Sequence, residues 1–248
     1  MIRFFRHIRK TLMEQNKVRT YLLYAVGEIA LVMIGILLAL QVNNWNEFRK
    51  EKSLEIRALT EISTDMQEDI LSLEGDAFLN KRYLTSSTII RKALESDQQY
   101  QDSLALHFGR MNFNTTYTLK ISGYDNLKNL GFQIVSNDTL RKLITDLYES
   151  SYSFHKKGEK TADQSTYEYF SPRYLSYFKR IHSEPGALSA RRYYTPSDFN
   201  TMKNNSEFNL LLDYIDSIRE DNLFNIEVTL TEIRNTKTML DEYLREIN

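Results

Sequence analysis

The sequence predicts an all-α protein, with an N-terminal transmembrane helix continuing into an extracytoplasmic helical bundle with long antiparallel helices. Three observations carry that expectation. The 248 residues include only 8 Gly and 3 Pro, where average usage gives roughly 17 and 12, which disfavours hairpin-rich, Gly-loop and Pro-linker architectures. Tyr21 to Val42 is an apolar run of 22 residues with one charge. Ser206 to Ile247 contains neither Gly nor Pro and repeats apolar residues in alternating four- and three-residue steps. At 42% hydrophobic and 26% charged, the chain has ample material for a core.

The first element is a basic arm, residues 1–20. The net charge of −1 averages +5 over this arm, from Arg3, Arg6, Arg9, Lys10, Lys17 and Arg19 against Glu14, with −1 from Glu28 and −5 over residues 43–248. Ile2, Phe5, Ile8 and Leu12 recur at helical spacing, the pattern of a short amphipathic helix lying on an anionic inner leaflet. Each basic group there adds about 1 kcal/mol to anchoring. The same charges also serve as a topology signal with no helix at all.

The second element is a transmembrane helix over residues 21–42, about 33 Å long at 1.5 Å per residue and so sufficient to cross a bilayer core. A buried soluble helix and a cleaved signal peptide are the alternatives. The apolar stretch exceeds a signal h-region, and Leu40-Gln41-Val42-Asn43 offers no small-x-small cleavage pattern. Basic residues crowd the N-terminal flank, whereas Arg49, Lys50, Lys52 and Arg57 are interleaved with Glu47, Glu51 and Glu55. That asymmetry predicts a cytoplasmic N-terminus. Tyr21, Tyr24 and the single Trp, Trp45, sit where interfacial aromatics belong.

Glu28 lies about 10 Å inside the span by helix rise. An ionised acid there costs roughly 2.5–3.5 kcal/mol on insertion scales, so it must be protonated, paired or turned towards protein. Steps of four and three from it reach Val32, Gly35, Ala39 and Val42, a small-xxx-small stripe on which another helix can pack closely. Two readings follow. Glu28 is a neutral acid hydrogen-bonded at a self-association interface, or it carries protons or ions in a channel-like or ion-driven transducer subunit.

Residues 43–248 form the third region, expected to be a helical domain. Ile56, Leu59, Ile62, Met66, Ile70, Leu73 and Ala77 continue the helical period beyond the span, with Gly75 as a break or kink before a second helix over about Asp76 to Glu95. A short helix is expected near Asp102 to Met111, and Phe113 to Leu119 has strand-like composition but no partner strand in view. Ser122 is placed to cap a helix ending before Gly131, and Asn137 to cap one carrying Leu140, Leu143, Ile144, Leu147 and Tyr148. Pro172, Pro185 and Pro196 mark one irregular window, with Thr195-Pro196 in the order of a helix start. The final stripe, Ile226, Leu230, Ile233, Lys237, Leu240, Leu244 and Ile247, is heptad-like. It suits antiparallel packing on the helix that follows Trp45, or a coiled coil between chains; periodicity does not choose.

The block Gly27-Glu28-Ile29, Leu31-Val32, Ile34 to Leu37, Ala39 to Gln41 and Asn43 to Glu47 resembles the GEI-x-LV-x-IGIL-x-ALQ-x-NNWNE opening of a family of uncharacterised single-span membrane proteins of Bacteroidota. The stretch GYDNLKNLGFQIVSNDTLRKLITDLY resembles a looser second signature. The resemblance implies a bacterial inner-membrane protein, single-pass, with its C-terminal domain in the periplasm, and transfers no catalytic residue.

Chemistry is sparse. The absence of Cys excludes thiolate sites and disulfides. His7, His107, His155 and His182 are scattered, with no HExxH or i,i+4 His pair, so no metal is expected. No Walker loop, GxGxxG or Gly-x-Ser-x-Gly motif is present, and no cofactor or enzymatic activity is expected. Eight of the 16 Tyr residues fall between Tyr148 and Tyr194 with interleaved basic groups. Such a mixture suits nucleic acid, but a periplasmic domain excludes that partner and leaves aromatic packing of Tyr167, Phe170, Tyr174 and Tyr177, or glycan and protein contacts. The expected function is therefore that of a membrane-anchored, self-associating, non-enzymatic protein that binds a partner or scaffolds an envelope complex, with the bilayer itself as its first partner.

Overall fold

A computed structural model describes residues 18–184 and 191–247, so the arm from Arg3 to Lys17 lies outside the described residues. The chain divides into two compact units, Met1–Leu54 and Glu55–Asn248. One helix, α1 (Val18–Glu95), contributes to both. Gly75 does not break it. Glycine inside a helix costs about 1 kcal/mol, whereas Leu73 and Asn80 on either side are fully buried and anchor the turn between them. The two expected helices are therefore one.

In the first unit, α1 contains the stretch long and apolar enough to cross a membrane. Thirteen large apolar side chains from Leu22 to Val42 are each 53–68% exposed, so the described residues of this chain do not cover the run.

The second unit is built on two long antiparallel helices, the Glu55–Glu95 part of α1 and the C-terminal helix Ser206–Ile247. Their cross-links fix the direction. Glu55 accepts from the Tyr243 hydroxyl, Ser63 donates to Asp241, Glu74 pairs with Arg234, Lys81 with Glu227, and Arg91 with Asp213 and Asp216. The heptad-like stripe closes within the chain. Ile226, Leu230, Ile233, Leu240 and Leu244 are buried in one cluster with Ala58, Leu59, Ile62, Met66, Ile70 and Leu73. Lys237, the polar member of the stripe, bonds Asp241 and Ser63.

Between those helices the chain adds α2 (Leu104–Met111) and α3 (Ser122–Leu130). Gly131, at φ +92°, ends α3 in a conformation that L side chains rarely adopt. One further rod follows, running as α4 (Asp138–Asp146), a π turn over Leu147–Ser151, α5 (Tyr152–Gln164), a second π turn over Ser165–Phe170, and α6 (Ser171–Leu175). Asn137 caps α4 as expected, its side chain accepting from the Leu140 amide. Pro172 is not in an irregular window but in the first turn of α6, where a missing N–H costs least.

Among the described residues the strands form one hairpin, β1 (Phe178–Ser183) and β2 (Arg192–Pro196), paired antiparallel with Ile181 opposite Tyr194 and a bulge between Phe178 and Arg180. Pro196 ends β2 rather than starting a helix. The next helix, α7 (Phe199–Lys203), is capped by Asp198, which accepts from the Asn200 and Thr201 amides. The final helix Ser206–Ile247 is α8. Phe108, Phe170, Tyr174, Tyr194, Phe199, Phe208 and Leu212 form the second buried cluster. Of the expected aromatic set Phe170 and Tyr174 are core, stacked at 4.7 Å with the Tyr174 hydroxyl donating to the Phe108 carbonyl at 2.9 Å, whereas Tyr177 is partly buried and Tyr167 is exposed.

Candidate functional site

The expected membrane residues lie on α1. Arg19 is exposed at its start, Val32, Gly35, Ala39 and Val42 are all exposed, and Glu28 is partly covered. A methyl added at Gly35 would meet open space, so a helix could approach there. Trp45 is exposed, with the Arg49 guanidinium 5.7 Å from its ring. Arg3, Arg6, Arg9, Lys10 and Lys17 fall outside the described residues.

In the second unit, α1 carries three buried acids, Glu55, Asp65 and Asp69. Each takes a backbone amide from the segment between α2 and α4. Glu55 accepts from Ser136 N at 2.7 Å, Asp65 from Gly123 N at 2.8 Å, and Asp69 from Lys120 N at 2.9 Å. Asp69 also receives the Tyr152 hydroxyl at 2.6 Å. Burial nevertheless raises the Asp69 carboxyl above its ordinary value, the hydrogen bonds from Tyr152 and Lys120 opposing it. The Ser122 hydroxyl, expected to cap its own helix, donates to Asp65 instead. Strand-like Phe113 to Leu119 is extended backbone without a partner strand, held partly by Tyr117 N donating to Glu159.

Further along α1 the charge changes sign. A cleft of about 380 Å³ opens between α1, α2, the extended segment and β2, and four arginines line it: Arg82, Arg110, Arg191 and Arg192. Leu79, Leu106, Tyr83 and Phe113 supply apolar wall, and Asn114 and Thr115 supply hydrogen-bonding groups. At 380 Å³ the cleft falls within the size range of small-molecule sites.

Local structure explains how the arginines meet. Gly109 lets α2 cross β2 so closely that a methyl there would overlap the Arg192 carbonyl, which sets Arg192 beside Arg110. The Arg192 guanidinium stands 4.8 Å from the Phe113 ring centroid. Arg110 occupies the last turn of α2, whose end carbonyls lack helical partners. Arg219 from α8, 1% exposed, meets that need: Nη2 donates to the Met111 carbonyl at 2.7 Å and to the Arg110 carbonyl at 3.3 Å. Its guanidinium lies 5.3 Å from the Tyr83 ring and 3.7 Å from Asp216. Burial lowers its pKa to about 10, so it stays cationic at neutral pH.

Among the described residues no carboxylate pairs with Arg82, Arg110 or Arg192, while Arg191 reaches only the exposed Glu184, at 3.8 Å. Arg110 is pushed below its ordinary value first by burial and then by the like charge of Arg82. His107 is lowered by burial and by Arg110 and Arg82, and is therefore neutral at pH 7. Its Nδ1 lies 3.1 Å from Ser86 Oγ, but this is no nucleophile pair. Ser86 is fully buried and its hydroxyl donates to the Arg82 carbonyl at 3.2 Å, leaving no room for an attacked carbonyl. Asp76, the acid on the cleft wall, is raised to about 6 by burial and by Glu159, with His155 opposing.

The chain belongs to DUF6090, a family of unknown function. The match covers residues 28–174, from the intramembrane acid candidate to the end of the helical rod. It takes in Asp69, Arg82 and Arg110 and stops short of Arg191, Arg192 and Arg219. No curated protein and no solved structure matches the chain.

Sequence reasoning singled out neither the buried acids nor the arginine cleft. Arg82 and Arg110 are 28 residues apart and Arg192 another 82 on, so only the packing of α2 against β2 unites them. One clue was available, since Gly109 sits in a short apolar helix where nothing local calls for glycine.

Proposed function

We propose that this is a single-pass inner-membrane protein with a cytoplasmic N-terminus, self-associating through Val32, Gly35, Ala39 and Val42, whose non-enzymatic periplasmic helical domain binds a partner. The observation that carries the reading is the uncovered apolar surface of α1 from Leu22 to Val42, which only lipid or a second helix can shield. The basic arm supports the orientation, and the small residues Gly35 and Ala39 beside Glu28 support close helix approach.

The absence of Cys makes the test clean. Single cysteines placed through residues 31–42 and oxidised in native membranes should give crosslinked dimer with maxima at positions 32, 35, 39 and 42. Uniform or absent crosslinking would remove self-association. An impermeant maleimide applied to spheroplasts should label Ser206→Cys and not Thr11→Cys. The opposite pattern would reverse the topology.

A further inference from the structure

The cleft gathers four arginines against a single acid, Asp76. The buried acids and the buried arginine of the second unit have fixed partners, Glu55, Asp65 and Asp69 holding backbone amides and Arg219 the end of α2, whereas Arg82 is exposed and Arg110 and Arg192 are partly so. Among the described residues Arg82, Arg110 and Arg192 pair with no carboxylate, Arg110 donating only to Ser86 Oγ at 3.4 Å, and Arg110 feels the like charge of Arg82 and Arg191. Such an arrangement lowers its free energy when an anion enters. Guanidinium forks match the paired oxygens of phosphate and carboxylate, and three or more of them call for more than one negative charge. The neutral His107 adds no cation, and Asp76 stands on the same wall. Leu79, Leu106 and the Phe113 ring enlarge the cleft well beyond one inorganic anion and give it an apolar side, with Asn114 and Thr115 able to meet hydroxyl groups. We propose that the cleft bounded by Arg82, Arg110 and Arg192 is a binding site for a phosphomonoester carried on a small polar organic group, either a soluble metabolite or a lipid headgroup.

The test uses the full-length protein in nanodiscs made of zwitterionic lipid. Calorimetric titration with ribose 5-phosphate should give saturable binding, with ribose inert and inorganic phosphate weaker. Arg82→Gln/Arg110→Gln should weaken binding by about tenfold or more, the scale expected for lost charge-assisted hydrogen bonds. Arg173→Gln, which alters a guanidinium stacked on Tyr169 outside the cleft, should bind as the unaltered chain does. Vesicles containing phosphatidic acid separate the two sources: binding to them in preference to ribose 5-phosphate, and dependent on Arg82 and Arg110, assigns the headgroup. If the double variant misfolds, modification of the native protein by phenylglyoxal decides instead. Ribose 5-phosphate or phosphatidic acid vesicles should protect Arg82 and Arg110, read by peptide mass spectrometry. The proposal is overturned if neither probe binds at millimolar concentration, if the double variant binds equally well, or if glucuronate binds as tightly as the phosphomonoester.

Discussion

Helix α1 presents two kinds of charge within its second unit, and their surroundings differ. Near the start, Glu55, Asp65 and Asp69 are buried, and each receives a backbone amide within 2.9 Å. Further along, Arg82 is exposed and lines one cleft with Arg110 and Arg192, none of which pairs with an acid among the described residues. The acids do structural work, because they satisfy the amides of a long segment that has little ladder of its own. The arginines do none of that work. Burial with fixed partners marks architecture, whereas partly exposed like charges grouped together mark a place for something that the chain does not itself contain.

Arg219 is the severest point at which to break this contrast, since it is a buried cation serving the architecture directly beneath the arginine cleft. Arg219→Ala leaves the Met111 and Arg110 carbonyls without their donor, while Asp216 keeps Arg91 at 3.0 Å, and is expected to cost about 3 kcal/mol. Arg219→Lys should recover only part, because an ammonium cannot span both carbonyls and the Tyr83 face as a planar fork does. Urea unfolding followed by circular dichroism measures both.

Asp69 comes next. Removing its carboxylate orphans Lys120 N and the Tyr152 hydroxyl, so Asp69→Ala should destabilise by about 2–3 kcal/mol. Asp69→Asn, which keeps an acceptor and relieves the charge burial that raises the native carboxyl, should cost clearly less. Equal losses from the two would mean that charge, and not amide pairing, is what the position supplies.

These acids also show what the sequence could and could not reveal. The helical period of Ile56, Leu59, Ile62, Met66, Ile70 and Leu73 is plain, and so is the stripe in α8 that covers it, because apolar residues at three- and four-residue steps have one physical explanation. Asp65 and Asp69 fall between those positions and look like solvent-facing charges; their burial depends on Lys120 and the start of α3, more than 50 residues away. Gly75 looked like a break because local propensity ignores the packing of Leu73 and Asn80 around it. The hairpin was illegible for another reason, since five of the six residues of β1 are exposed and Phe178–Ser183 has no alternation to read. The cleft depends on both of these misreadings, as β2 supplies Arg192 and continuous α1 supplies Arg82.

Asp76 sharpens the comparison through pH. Its native pKa of about 6 lies above the ordinary 3.8 because burial and Glu159 disfavour the charge, with His155 partly compensating. Between those values the folded state binds more proton than the unfolded state, so stability falls as pH rises from about 4 to about 6. Asp76→Asn should therefore flatten this part of the profile and stabilise the protein at pH 7 by about 1–2 kcal/mol, an amount already reduced for partial solvent screening. Thermal melts from pH 4 to 8 test it, and an unchanged slope would exclude Asp76 as its source.

The smallest expected effect discriminates most finely between the two kinds of charge. Arg82→Gln removes a guanidinium that pairs with no acid and repels Arg110, so stability should change by no more than about 0.5 kcal/mol, with the sign towards stabilisation at low salt. Added salt should erase even that difference by screening the repulsion. A loss above 1 kcal/mol in the same unfolding experiment would show that Arg82 belongs with Glu55, Asp65 and Asp69 as part of the architecture, and the distinction between the two regions would then rest on Arg110 and Arg192 alone.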